Sequence, residues 1–390
     1  MRAVGLMSGT SLDGVDAALV TLHPHGSGYD VQLNKFITVP FSTGVRRRLL
    51  AALPPHEPGL AELAALDCLV GDAFAAAARN VAGDEAVDFI ASHGLTAYHD
   101  GERRTTLQIG DPYRIRERLD ATVIFDFRRA DCAAEGHGAP LVPYVDALLF
   151  RSPERNIVAL NIGGIANMTV LEAGATTATA RAWDTGPGNM LLDGFVRART
   201  DGRRDFDVDG ASAEQGRANE RVVAELLVRE SPFFKLGPPK STGRERFGTQ
   251  FLKAHDDLFA AMSLEDGCAT LCAFTAATIA DSLAAHGPLR PLVIASGGGV
   301  HNRALLAMLR ERLACDGAEL TTSGDFGVDP DAKEALAFAL LGYETLRERP
   351  ANVPAATGAT HPAVLGAIAP HGLAAVLTKM RAEIAANEAA

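Results

Sequence analysis

Positive charge is in short supply in this sequence. Its 390 residues include 48 Asp or Glu against 37 Lys or Arg, a net charge of −11. A general nucleic-acid binder needs a basic face to neutralise phosphates, so the balance argues against that class. A single polyphosphate is not excluded, because local donors and a metal can hold one. Cysteine is scarce too: five, at 68, 132, 268, 272 and 315, with no Cys-x-x-Cys pair. An odd count without a framework points to a reduced, cytoplasmic protein. No apolar run approaches the length of a bilayer span. Charge and glycine interrupt the first residues too early for a signal-peptide core. Several site signatures are missing as well. Lys240-Ser241 follows two prolines and lacks the glycine frame of a Walker A loop. There is no Gly-x-Ser-x-Gly elbow and no helix with two histidines at metal spacing. Ser296-Gly-Gly-Gly does not fit Gly-x-Gly-x-x-Gly, which argues against a dinucleotide-binding dehydrogenase.

What the chain does have is glycine after β-like runs. Gly5 to Val20 reads as strand, hydroxyl-rich glycine turn and returning strand, with Gly9 and Gly14 around Thr10, Ser11 and Asp13. Glycine lets a ligand approach the main chain, and successive amides in such a turn make an anion cradle. Asp13 or Asp16 could hold a metal or its waters. An ordinary Asp-Gly hairpin fits the same stretch. The layout restarts at Asn156–Leu171, where Gly163 and Gly164 sit between two apolar runs. A repeated glycine hairpin suggests two related domains, with a phosphate between facing loops. Further loops at 186–189 and 297–299 bring the total to four, which favours a nucleotide touching main chain at several places.

Between these loops the pattern alternates strand and helix. Strands are expected at 29–40, 87–94 (running into a polar glycine turn), 105–109, 121–127, 179–183 and 291–295. Helices are expected at 43–53, 59–82, from Asp111-Pro112, 141–150, from about 188, 212–230, 246–260, from the Ser263–Asp266 capping box to Gly287, after Asn302, and from Asp329-Pro330 to Arg347. The Ala/Pro/Thr-rich stretch 350–363 reads as a linker or wrapping tail. This is α/β layering, with function at the strand ends.

Asp184 is the best candidate for catalysis. It ends a strand, follows the only Trp and precedes a Gly-Pro-Gly turn into a helix. There it could accept a proton from water or a hydroxyl, or simply cap the helix. His93 and His99 have no metal-spaced partners, and His99 reads as a hydrogen-bonded loop residue. Asp126-Phe-Arg-Arg-Ala-Asp131 fits either a self-paired turn or a polar-ligand site, where an Arg would suit a carboxylate or phosphate.

Taken together, the motifs 7–16, Ser92-His-Gly94, Leu107-Gln-Ile-Gly-Asp111, Asp126–Asp131, Gly138-Ala-Pro-Leu141, Asn161–Asn167, Asp184–Asn189, Pro238–Glu245, Gly297–Asn302 and Lys333–Phe338 occur in order along nearly the whole chain. In this the sequence resembles the anhydro-N-acetylmuramic acid kinase family. The resemblance implies a two-lobed actin/hexokinase-like (ribonuclease H-like) α/β fold with an ATP cleft between lobes. The first lobe would span 1–135, with the tail about 350–390 packing back on it, and the second 136–349. It also implies a cytoplasmic homodimer using ATP and Mg²⁺ on a small anhydro-sugar, with no nucleic-acid or membrane partner. Water opens the 1,6-anhydro bridge while O6 is phosphorylated, giving N-acetylmuramic acid 6-phosphate for cell-wall recycling.

The resemblance assigns roles as well. Gly9, Thr10, Ser11, Leu12, Asp13, Gly14, Val15 and Asp16 would hold the ATP phosphates, with Asp13 a candidate for Mg²⁺. Gly163, Gly164 and Asn167 would form the facing loop. Gly297, Gly298, Gly299 and Asn302 would lie near the adenosine. His93, Arg128, Asp131 and Glu334 would face the sugar, and Asp184 would be the general base. Leu95, His137 and Asp146 depart from the usual family pattern, so another anhydro-sugar such as levoglucosan stays open. A non-catalytic actin-like ATP-binding protein is the third reading.

Overall fold

Val4, Gly5, Leu6 and Met7 are all buried, which is why the opening strand is apolar without alternation. It is the centre of a sheet covered on both faces. The computed structural model describes residues 1–9, 12–25, 28–53, 56 and 58–388. Twelve strands are found among them: β1 (Arg2–Ser8), β2 (Gly14–His25), β3 (Gly28–Pro40), β4 (Phe89–Asp100), β5 (Thr105–Ile109), β6 (Thr122–Phe125), β7 (Ile157–Ile162), β8 (Ile165–Leu171), β9 (Arg181–Pro187), β10 (Leu292–Ser296), β11 (Glu319–Thr322) and β12 (Ala367–Ala369).

The chain divides into two units, Met1–Leu149 with Ala332–Ala390, and Phe150–Asp331. The first sheet runs β12-β6-β4-β1-β2-β3, with β5 on β4; the second runs β11-β10-β7-β8-β9. The senses match strand for strand. β6, β4 and β1 are parallel, as are β11, β10 and β7. β1-β2-β3 and β7-β8-β9 are antiparallel meanders. Each unit thus repeats one α/β plan, and the repeated glycine hairpin of the sequence is its first β-turn-β step.

One face of the first sheet packs on the helix Leu60–Ala82 through Leu66, Val70 and Phe74. The helix Lys333–Leu346 also packs on β1, β2 and β4, with the Tyr343 ring stacked on Phe89 at 6.2 Å. That packing puts residues 332–349 in the first unit, not the second lobe expected from sequence. Residues 136–149 go with them, because Lys333 Nζ bonds Asp146 Oδ1 at 2.9 Å. The second unit's core is built on the helix Leu264–His286, whose Ser263 cap accepts the Asp266 N–H. Contrary to the sequence reading, this helix is long and apolar enough to cross a membrane, but it is mostly buried in that core.

Other local expectations shift. The 212–230 helix is broken at Gly216, and 246–260 forms short turns of helix. Asp329 accepts the Asp331 N–H within a turn, and the last strong helix starts later, at Lys333. Strands β11 and β12 and the helix Leu373–Glu388 have no counterpart in the sequence reading.

Candidate active site residues

The opening loop is held by its own main chain, with Leu12 O and Asp13 O accepting from Arg46 Nε and the Phe41 N–H at 3.1 Å. The side chains of Leu12 and Val15 are 2% and 0% exposed and belong to the core, so only their backbone can meet a ligand. Ser8 Oγ donates to Gly14 O at 2.7 Å and the Leu12 N–H to Gly9 O at 3.3 Å, which tightens the turn. Thr10 and Ser11 lie outside the described residues. Asp13 is exposed at the loop, while Asp16 accepts the Thr38 hydroxyl at 2.6 Å. Among the described residues no three His, Cys, Asp or Glu side chains form a metal-sized group. The exposed Asp13 carboxylate is an oxygen donor of the type Mg²⁺ takes.

In the second unit, the carbonyls of Gly163 and Gly164 accept the amides of Asn189, Gly188 and Met190 at 2.8–3.1 Å. The loop is thereby fixed to the start of the helix Met190–Arg199. Gly297 has φ 81° and follows β10, and a side chain at Gly298 would meet nothing within 4 Å. The open space lies beside Gly298 alone, since a Cβ at Gly297 would meet Asn161 Oδ1 at 2.6 Å and one at Gly299 would meet Ile162 Cγ2 at 2.3 Å, so those two glycines let the loop pack on β7. Asn302 has a different task. Its Oδ1 caps the helix Arg303–Cys315 by accepting the Leu305 N–H at 2.9 Å, and its Nδ2 donates to Cys272 Sγ. Its side chain is committed to the fold.

Asp184 does not end its strand. It lies inside β9, opposite Asn167 of β8 at a register irregularity, so two candidate residues are neighbours. The strand runs on because Gly186 and Pro187 keep pairing with Ala166 and Ile165 of β8, and the Asp184 N–H bonds Lys240 O at 3.0 Å. The capping alternative falls, since the Met190–Arg199 helix starts later, after Asn189. Instead Asp184 Oδ2 accepts the Thr242 N–H at 2.8 Å. Burial pushes its carboxyl up to about 7; the Thr242 N–H opposes this, nearby Glu245 adds to it and Lys240 opposes it. The sequence contains the 238–245 motif but offers no sign that it would fold onto Asp184.

The sugar-side candidates meet within the first unit. His93 sits where Leu6 and Ser8 of β1 pair with Ser92 and Leu95 of β4, a bulge made possible by Gly94 at φ 75°. The expected strand-ending turn is therefore a bulge inside a longer strand, a device that re-aims side chains. His93 Nδ1 lies 2.9 Å from Gly94 O, and Arg128 Nε donates to His93 Nε2 at 2.9 Å. Burial and then the Arg128 charge hold His93 well below its ordinary value, so it is neutral. Glu334 is close enough to Arg128 to feel its charge, while burial raises its carboxyl. The Asp126–Asp131 motif splits both ways: Arg129 and Asp126 form the self-paired turn, and Arg128 turns inward. Asp131 differs from expectation. It is 0% exposed and its carboxylate accepts Asn352, Thr357 and Gly138, so it faces protein. His99, read as a loop residue, lies in β4 and bonds Thr106.

Comparison with known proteins decides the family. The sequence model described as anhydro-N-acetylmuramic acid kinase matches residues 1–371. The chain belongs to the anhydro-N-acetylmuramic acid kinase family. It is 41% identical over 387 residues to the member from Caldanaerobacter subterraneus subsp. tengcongensis, covering 94% of this chain and 96% of the relative. It is 40% identical over 375 residues to the member from Synechococcus elongatus, covering 94% and 98%. By membership it is a kinase, a phosphotransferase. Among solved structures, a glucokinase of the ROK family from Streptomyces griseus, in complex with glucose and AMPPNP, aligns with TM-score 0.41 at 12% identity over 87% of this chain and 98% of that one. The activator of the 2-hydroxyisocaproyl-CoA dehydratase from Clostridium difficile, with bound ADPNP, gives 0.45 at 12% identity over 88% and 95%. At such scores the likeness adds nothing to the family assignment.

Proposed function

We propose that the protein uses ATP to convert 1,6-anhydro-N-acetylmuramic acid to N-acetylmuramic acid 6-phosphate, the reaction its relatives' name and the motif resemblance imply. The observation that carries this reading is Asp184. A buried carboxylate with a value near 7 takes up a proton readily at neutral pH. In the proposed step Asp184 takes a proton from water as the water oxygen bonds the anomeric carbon. The bond from that carbon to O6 breaks, O6 bonds the γ-phosphorus, and ADP leaves. Gly14 and Gly163–Gly164 would lie against the phosphates, and Gly298 against the adenosine. Asp13, with phosphate and water, would hold Mg²⁺, which offsets charge developing on the phosphates. Arg128, His93 and Glu334 would orient the sugar, so that attack and leaving group are aligned. The same reading implies a cytoplasmic homodimer acting in cell-wall sugar recycling.

The test is turnover in ¹⁸O-labelled water with Mg-ATP and the anhydro-sugar, read by mass spectrometry. ADP and a sugar phosphate carrying one label are expected. An unlabelled product overturns the hydrolytic step, and turnover of levoglucosan alone overturns the substrate.

A further inference from the structure

In sequence, residues 350–363 read as a linker or tail. In the structure they form a strap across the short helix Phe127–Ala133 and the loop after it. The His137 N–H donates to Thr357 O at 2.8 Å, and the Thr360 N–H to Ala134 O at 2.9 Å. Two strap side chains reach deeper. Asn352 Nδ2 and Thr357 Oγ1 donate to Asp131 Oδ1 at 2.7 and 2.8 Å. Asp131 Oδ2 accepts the Gly138 N–H at 2.8 Å. Gly138 O in turn accepts from Arg128 Nη1 at 2.9 Å, and Arg128 Nε bonds His93. The hydrogen-bond path from strap to Arg128 is unbroken.

The path is also stiff. Asp131 and Thr357 are 0% exposed and Asn352 is 4% exposed. Asn352 is itself held, its Oδ1 accepting the Ala363 N–H at 2.6 Å. A Cβ at Gly136 would lie 2.2 Å from Asp131 Oδ2, so the loop closes on the carboxylate only without a side chain there. A buried carboxylate is costly unless donors surround it, and the strap supplies two of the three side-chain and backbone donors named here. An arginine fork recognises a ligand by geometry, so it needs a fixed approach. Its Nε and Nη1 contacts set that direction.

We propose that Asn352 and Thr357, acting through Asp131, are positioning residues that hold Arg128 and His93 in the arrangement that receives the sugar. This rests on the proposed assignment of Arg128 to the sugar. Thr357→Val keeps shape and removes the donor, and Thr357→Ser keeps the hydroxyl. In Thr357→Val the KM for the anhydro-sugar is expected to rise about tenfold or more, with the KM for ATP within about twofold of wild type. Thr357→Ser restores the sugar KM. A Thr357→Val protein whose two KM values are unchanged, or change together, overturns the proposal. Hydrogen exchange of peptides covering 126–140 gives a readout without turnover, with about tenfold faster exchange expected in Thr357→Val. If wild type turns over no anhydro-sugar, the substrate reading fails by itself. The strap is then judged on exchange alone, and unchanged exchange overturns it.

Discussion

Asp184 shows how much one side chain's surroundings matter. With a value near 7 it is only about half ionised at neutral pH, so the proposed base loses its function as pH falls. The profile of log kcat/KM against pH should rise with unit slope and level off above about pH 7. Asp184→Asn should still bind ATP while kcat falls about 10²- to 10⁴-fold. Stability should move the opposite way. The folded value is raised, so the folded state binds the proton more tightly, and this stabilisation is lost as pH rises from about 4 through about 7. Denaturant titration at pH 8 should therefore find Asp184→Asn more stable than wild type by on the order of 1–3 kcal/mol. A less stable Asn variant at pH 8 would contradict burial as the cause.

Among the elements, the helix Lys333–Leu346 has the widest consequences. It covers β1 and β4, carries Glu334 beside Arg128, and grips the helix Val142–Phe150 through Lys333 and Asp146, only 2% and 3% exposed. A buried pair is of little net benefit over apolar packing, but removing one partner strands the other charge. Lys333→Met should lose about 3–5 kcal/mol in urea unfolding. Lys333→Met with Asp146→Leu should be more stable than the single variant; an equal or larger loss would show that the pair is not the source. Nothing local in the sequence marks this pair, because its members are far apart in the chain and meet only when the helices pack.

The whole molecule repeats one strand order in two units, one continuous and one assembled from both chain ends. Phe150–Asp331 contains its own core, built on the helix Leu264–His286. Residues 1–149 alone lack the helix that covers β1 and β4 and the strand β12 that pairs with β6. Expressed separately, 150–331 should unfold cooperatively by circular dichroism, whereas 1–149 should show no cooperative transition. The reverse pattern would refute this division.

By itself the sequence determined most of the local plan. Apolar runs of strand length, capping residues such as Ser263 and Asp111, and the two glycine hairpins are written in neighbouring residues, as are the motifs that mark the family. Those signals are local, and backbone sterics and hydrogen-bond caps act over a few residues. Tertiary structure alone decided the rest. It drew the 240–242 backbone onto Asp184 and paired β9 with β8 beyond it, so that the helix starts only after Asn189. It turned Asp131 into the protein and brought Cys272 to Asn302 Nδ2. It brought the tail back as a strap and assigned the last strong helix to the first unit. Each outcome depends on burial and on partners distant in the chain, quantities that no short window of residues contains.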